Sequence, residues 1–336
     1  MTFNAGGGDL SSNLLIRSQV SALRLENSRS GERLSTGRKI GSDLAKDGHI
    51  KDVYTLDKDL RNLNSFKTVV SRGNTRFEAT QSSLQVIREV ASDVSLGILS
   101  SLQGSTATTA LSHANRAEGA LETVVSTLNL SIAGESLFSG ATLTGSAVID
   151  AADLIRDVET IITTAPDSVT ALASVDFYFN DPAGGFATSA YLGSSVDAPS
   201  LEILGGKHLK QNIRADNTAI KETIRNLTLM AAVAGGTVLS EADKVMILRN
   251  ASSDALQTNE KIVKLEQEVG LGLEGLEQAG TRLDAQKNSL ETAYNEITKV
   301  DAFEEATRFE ELMVQLETSY SVMVRLSSLS LLNFLK

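Results

Sequence analysis

The chain of 336 residues contains no cysteine and no tryptophan, which excludes disulfides, thiolate catalysis and cysteine-ligated metal. It has only three prolines and 4% aromatic residues, scarcities that suit long helices better than sheets. The three histidines, His49, His113 and His208, lie far apart in sequence and never at the i, i+4 spacing of a helical metal site. No apolar run approaches the ~20 residues of a membrane span, so no membrane insertion is expected. Residues 1–13, MTFNAGGGDLSSN, carry neither a basic n-region nor an apolar h-region, so no secretory signal is expected. A net charge of −11 argues against nucleic acid as a partner.

What the chain does have is helical periodicity with unevenly placed charge. Ile16, Val20 and Leu23 share one face of a helix expected from Ser11 to about Ser35. After a break at 35–41, with Ser42 or Asp43 as the next cap, a second helix is expected to about Ser101, and a third over 108–133. Helices return at about 218–234 and from Ser240 onward, where Ser240-Glu-Ala-Asp243 fits a capping position. Gly270, Gly272, Gly275 and Gly280 predict a bend or local irregularity inside that last run. Phe309, Met313, Leu316, Tyr320, Met323, Ser327, Ser330 and Phe334 follow steps of 4, 3, 4, 3, 4, 3, 4, the spacing of a coiled-coil seam. Between Arg17 and Lys39 stand six basic residues and two acids, and between Glu291 and Glu317 eight acids and two bases. Helices from the two ends can therefore pair with complementary charge.

All three prolines, Pro166, Pro182 and Pro199, fall in one stretch of 34 residues with five of the 15 aromatics. That stretch reads as β hairpins, with strands at Val175–Phe179 and Ser200–Leu204 and a turn at Asp181–Gly185. The fold expected is mainly α: long helices from both termini form an elongated coiled-coil-like bundle, with a small β-rich domain inserted in the middle. The divisions are 1–41 (terminal assembly helix), 42–140 and 216–299 (the two halves of a helical rod), 141–215 (the β-rich insertion) and 300–336 (C-terminal assembly helix).

Chemistry is not expected. Gly270-Leu-Gly-Leu-Glu-Gly275 matches a dinucleotide fingerprint but lacks the preceding strand. Gly205-Gly206-Lys207 lacks the spacing of a phosphate loop. The acid pairs Glu304-Glu305 and Glu310-Glu311 read as solvated helix face. No catalytic residue, cofactor or metal is expected, and the protein is read as no enzyme. Apolar stripes on terminal helices too thin to bury them instead point to packing on neighbouring subunits, with Ile16, Val20, Leu23, Phe309, Met313, Leu316, Tyr320, Met323, Leu331 and Phe334 as the assembly residues.

Several segments, in order, carry a family likeness. Leu34-Ser-Thr-Gly-Arg38 resembles the "(L/M)STG(K/R)" turn of the flagellin superfamily of bacterial flagellar axial proteins. Leu128 to Gly140, ending in Leu137-Phe138-Ser139-Gly140, resembles "LN…NG.YLFSG", with Gly134-Glu135 standing for the Asn-Gly pair. Tyr191-Leu-Gly193 resembles "Y.G(D/N)", and Leu84–Val90 resembles "LQRIREL". Ile297–Thr307 resembles "I.DVD..EA.T", and Leu329–Leu335 resembles "LSLFNYL". The closer likeness is to the hook–filament junction branch, hook-associated protein 3, over about 14–145 and 190–336. The resemblance implies a structural subunit exported unfolded through the flagellar type III apparatus with a chaperone, then assembled outside the cell with itself, as a ring or helical array, and with flagellin and other hook-associated proteins. Flagellin itself is the alternative within the superfamily, and a secreted helical scaffold or adhesin the alternative outside it.

Overall fold

The computed structural model describes the backbone of residues 6–104, 107–203, 206–210, 212–236 and 239–334, and the side chains of 14–325 apart from those of 104–108, 204, 205, 207, 211, 237 and 238. The described chain is mainly α-helical, with two small antiparallel sheets near its middle. It divides into two compact units, one of residues 1–64 with 284–336 and one of residues 65–283.

The first unit is built on α1 (Gly6–Thr36) and α10 (Ala302–Phe334), which pack on each other. Helix α1 stops because Gly37 takes φ +67°, the left-handed conformation that ends a helix, and its N–H reaches the Arg33 carbonyl at 2.8 Å. The next helix, α2 (Gly41–Lys46), is short. Ser42 and Asp43, expected to cap it, lie inside its first turn, and the capping position is Ile40. Gly48, at φ +78°, then breaks the chain before α3 (Ile50–Gly104), so the second helix expected is two.

The C-terminal run is also two helices, α9 (Glu241–Thr298) and α10. The glycines Gly270, Gly272, Gly275 and Gly280 do not interrupt the helix: α9 runs unbroken through them. The interruption is at Lys299–Asp301. There the Asp301 carboxylate accepts the N–H groups of Phe303 and Glu304 at 2.8 and 3.1 Å, capping α10. A helix breaks where an alternative partner exists for its backbone groups, and Asp301 provides one. An antiparallel bridge joins the two interruptions: Lys39 donates its N–H to Thr298 O at 2.7 Å, and Val300 donates to Gly37 O at 3.1 Å.

The second unit centres on α8 (Thr218–Ala234), which is buried along most of its length. Around it pack α4 (Ala107–Ala114), α5 (Arg116–Leu128), α6 (Ala151–Thr164) and α7 (Ser168–Asn180). The third helix expected is thus α4 and α5, followed by a hairpin of β1 (Ser131–Ile132) and β2 (Glu135–Ser136). Its turn residues are Ala133 (φ +53°) and Gly134 (φ +83°), one position earlier than the pair singled out in the sequence.

The strand expected at Val175–Phe179 is helix. Asp167 caps α7 by accepting the Thr170 N–H at 2.7 Å, and Ala171, Val175, Tyr178 and Phe179 turn inward at helical spacing. Phe179 stacks against Phe186 at 5.4 Å, on the π-helical turn Phe186–Ala190. The turn at Asp181 forms as expected, its carboxylate accepting the Ala183 N–H at 2.8 Å. So does a strand near 200–204, β3 (Leu201–Ile203), which pairs antiparallel with β4 (Lys207–Leu209).

Residues 65–104 of α3 and 241–283 of α9 approach closely where glycine removes a side chain. A Cβ on Gly73 would stand 3.0 Å from Leu276, and one on Gly272 only 2.2 Å from the Phe77 ring. Leu84 and Ile87 are fully buried, so the Leu84–Val90 segment contributes to the interior of this unit. Ser240 and Asp243 cap α9 reciprocally, as expected: Asp243 N–H donates to Ser240 Oγ at 3.2 Å and Ser240 Oγ to the Asp243 carboxylate at 2.6 Å.

Candidate assembly interface

The paired helices α1 and α10 place the apolar stripes and the charges of the two chain ends together. On α1, Val20 is buried and Ile16 and Leu23 are half-buried. On α10, Leu316 is buried and Phe309 and Met323 half-buried, with the Phe309 ring lying 3.3 Å from where a Gly31 Cβ would stand. Met313 is 53% exposed and Tyr320 37% exposed. The Leu331 and Phe334 side chains fall outside the described ones.

Leu312, absent from the expected stripe, is buried. The inward face of α10 therefore runs through Glu305, Phe309, Leu312, Leu316 and Ser319 to Met323, with steps of 4, 3, 4, 3 and 4. The same 3–4 pattern fits both this stripe and the one through Met313 and Tyr320. The signal that separates them is Leu312 itself, three residues after Phe309 and four before Leu316.

The polar centre of the pair is Arg33, whose side chain is 6% exposed. Its guanidinium donates to Glu305 at 2.8 Å, and to Glu26 and Asp43 at 3.1 Å each. Ser30 Oγ completes the cluster, donating to the same Glu305 oxygen at 2.6 Å. Burial pulls the Arg33 pKa down, but the hydrogen bonds it donates to Glu305, Glu26 and Asp43 more than reverse it, so the pKa stands above its usual value. Arg308 of α10 reaches back to Glu26 at 3.1 Å. Arg24 lies 5.0 Å over the Tyr320 ring and donates to its hydroxyl. The basic α1 and acidic α10 thus pair as their charges suggest. Glu305 is a correction: expected on the solvated face, it is buried against Arg33 and Ser30. A lone acid beside a second acid gives no sequence signal of this role; an arginine placed one turn before a helix-ending glycine on the partner helix gives a weak one.

The outward face of α10 carries apolar residues among its exposed charges. Phe309, Met313, Val314, Leu316 and Tyr320, with Glu310 and Glu317, line a groove of about 600 Å³. Phe303 is 83% exposed, Val314 62% and Val324 68%. Apolar surface of this extent on one helix is characteristic of an interaction face.

The two sequence motifs have separate structural roles. Leu34, Ser35 and Thr36 are exposed and form the end of α1, with Gly37 as its left-handed cap. Leu137, Phe138, Ser139 and Gly140 are all buried in the second unit. Ala215 donates its N–H to Phe138 O and Ser194 donates to Ser139 O, both at 2.9 Å. Gly140 is required there: its φ is +64°, and a Cβ would meet the Val196 carbonyl oxygen at 2.5 Å. Tyr191, whose hydroxyl donates to Ser194 O at 2.9 Å, closes the same junction, and burial first pushes its pKa up to about 12. These four motif residues hold backbone segments together, and the Ser139 hydroxyl donates to the Thr142 carbonyl.

Among the described residues no helix is long and apolar enough to cross a membrane. No curated protein matches the chain. Residues 253–335 match the family model of the bacterial flagellin C-terminal helical region. Among solved structures, the crystal structure of Bacillus cereus FlgL superposes with a TM-score of 0.52 at 14% identity, covering 71% of this chain and 98% of that one. The structure of a putative flagellar hook-associated protein from Vibrio parahaemolyticus superposes with a TM-score of 0.50 at 13% identity, covering 74% of this chain and 96% of that one. The C-terminal part of the chain thus resembles the flagellin C-terminal helical region, and its fold resembles that of FlgL and the Vibrio hook-associated protein.

Proposed function

We propose that this protein is a structural subunit of the bacterial flagellum, of the hook-associated kind that joins hook to filament. The observation that carries the reading is the pairing of α10, all of which lies within the stretch matching the flagellin C-terminal model, with α1, while large apolar residues of α10 remain exposed. One face of α10 packs within the chain; the exposed Phe303, Met313, Val314 and Val324 are left for other subunits. Head-to-tail use of such a face builds rings when the rotation closes and helical arrays when it does not. The subunit works by packing and not by catalysis; it takes no cofactor, reaches the cell exterior by flagellar export with a chaperone, and contacts itself, flagellin and other hook-associated proteins. Ile16, Leu23, Met313, Tyr320, Leu331 and Phe334 belong to this assembly surface, and Val20, Phe309, Leu316 and Met323 seat α10 on α1 beneath it.

The match to a flagellin model favours a second reading, the filament subunit itself. Immunogold electron microscopy of flagella with an antibody to residues 145–215 separates the two. A single band where hook meets filament is the expected result. Label along the whole filament makes the protein a flagellin, and flagella without label refute both readings.

A further inference from the structure

The link between α7 and the π-helical turn Phe186–Ala190 contains Asp181-Pro182, the single Asp–Pro pair of the sequence. Asp181, Pro182 and Gly184 take the first, second and fourth positions of a β-turn, where each of these residue types is favoured. The turn is anchored at both ends. Asp181 donates its N–H to Phe177 O at 3.1 Å, which ties it to the end of α7, and Gly184 O accepts the Thr188 N–H at 3.1 Å. Two further contacts bracket the Asp181–Pro182 peptide bond. The Asp181 carboxylate accepts the Ala183 N–H at 2.8 Å, so the ring closed by this hydrogen bond contains that peptide bond. The Gly184 N–H donates to the Asp181 carbonyl oxygen at 2.9 Å. Only glycine permits that approach: a Cβ at 184 would stand 2.4 Å from Phe177 O and 3.0 Å from Asp181 O. Pro182 and Ala183 are exposed to water.

Each of these parts has a task in acyl transfer. A carboxylate is a nucleophile, and this one is held beside its own backbone carbonyl carbon, which it reaches by closing a five-membered ring. The Gly184 N–H lies within the ~2.7–3.1 Å at which a fixed donor stabilises a developing oxyanion. The leaving nitrogen belongs to proline, so the bond is a tertiary amide without N–H, whose nitrogen accepts a proton and departs more readily than that of an ordinary peptide.

We propose that the Asp181–Pro182 bond is a self-cleavage site. A carboxylate oxygen of Asp181 gives an electron pair to the Asp181 carbonyl carbon, and the oxyanion so formed faces the Gly184 N–H. The oxyanion collapses, the bond to Pro182 breaks, and its electron pair leaves with the Pro182 nitrogen, which takes a proton from water. Asp181 is left as a cyclic anhydride, which a second water opens to two carboxyl groups. The net reaction consumes one water and yields the pieces 1–181 and 182–336. It happens once in each chain and does not depend on the flagellar reading. Phe179 and Phe186 pack at 5.4 Å across the cut, so the two pieces stay together until the protein is denatured.

The full-length protein is incubated in mildly acidic buffer with protease inhibitors, both folded, as circular dichroism verifies, and unfolded in guanidinium. Denaturing gels and intact mass follow the cut. The folded chain is expected to yield the two pieces about a hundredfold faster than the unfolded one, the scale of one positioned oxyanion donor. Added hydroxylamine should be captured at residue 181 as a hydroxamate, which reports the anhydride. Asp181→Asn keeps the side-chain oxygen that accepts the Ala183 N–H but removes the carboxylate, and it should abolish both the cut and the capture. An uncut folded chain, a folded rate no higher than the unfolded one, or a cut that survives Asp181→Asn overturns the proposal.

Discussion

Replacing Arg33 by methionine isolates the polar centre of the α1–α10 pair. The substitution keeps most of the side-chain volume and helix propensity but removes the guanidinium, whose partners are Glu305, Glu26 and Asp43. Removing one member of a buried ion cluster costs ~3–5 kcal/mol, because a charge is left without its partner. The discount here comes from exposure: the Glu26 and Asp43 side chains are 28% and 22% exposed and can be rehydrated. Glu305, at 11%, is stranded with Ser30 alone. The expected loss is therefore about 3 kcal/mol, the low end of the range. Hydrogen exchange read on the amides of α1 and α10 measures it locally, and amides of α8 serve as the internal reference. Arg33→Met with Glu305→Leu should recover most of the loss, since replacing a whole buried ion pair by apolar groups is near neutral. If Arg33→Met changes protection by less than ~0.5 kcal/mol, the range of ordinary surface substitutions, the cluster does not hold the helices together. If the double variant is as weak as the single, the loss comes from packing and not from the stranded carboxylate.

Other predictions read different parts of the molecule. Glycine to alanine within a helix ordinarily gains ~1 kcal/mol, and Gly270, with open space where its Cβ would stand, should gain it. Gly272→Ala should instead lose ~1–3 kcal/mol, as its Cβ would stand 2.2 Å from the Phe77 ring; thermal melts of the two variants should move in opposite directions. Ala133 occupies a left-handed conformation, φ +53°, in a two-residue hairpin, so Ala133→Asn should stabilise the second unit by ~0.5–1 kcal/mol in urea titrations. The Asp243 carboxylate accepts hydrogen bonds from Ser168 and Ser240, which hold its pKa below the usual 3.8; folding stability from this group is present above that value and lost as pH falls through the lower, folded one. Carboxylate NMR should show Asp243 titrating below 3.8 and moving up in Ser168→Ala; an unchanged midpoint refutes the hydrogen-bond cause. Finally, Val314→Asp, on the outward face, should leave the melt unchanged and abolish assembly, whereas Leu312→Asp should unseat α10 and lower exchange protection across α1.

The parts of this fold legible in the sequence are those that depend on periodicity over many residues. Long stripes at 3–4 spacing and scarce proline mark α1, α3, α9 and α10 as helices, and the opposed charges of the two ends mark them as a pair. What was not legible depends on single residues. Val175-Asp-Phe-Tyr-Phe179 satisfies both the two-residue period of a strand and, through Val175, Tyr178 and Phe179, the helical one; only the Asp167 cap decides it. The glycines of α9 look like breakers until Phe77 is seen to occupy the space at Gly272, and the true break requires the Asp301 side chain to replace lost backbone partners. At the candidate interface, a rotation of the helix by one residue exchanges Met313 for Leu312 and carries Glu305 from solvent into the seam.

That rotation also assigns different tasks to the two faces of α10. The inward face holds a charged cluster at one level, Ser30–Arg33–Glu305, and apolar contacts along Phe309, Leu312 and Leu316. Apolar contacts alone would permit α10 to slide on α1 by one helical step of three or four residues, because the stripe repeats. The buried ion cluster does not repeat as a whole: a slipped register would separate Glu305 from Arg33 and Ser30 together and Arg33 from Glu305, at several kcal/mol by the rule for broken buried pairs. The cluster thus fixes the register of the pair, a role that needs specificity more than net stability. With the register fixed, Phe303, Val314 and Val324 emerge on the outward face in one constant arrangement, which any repeating assembly built on that face requires.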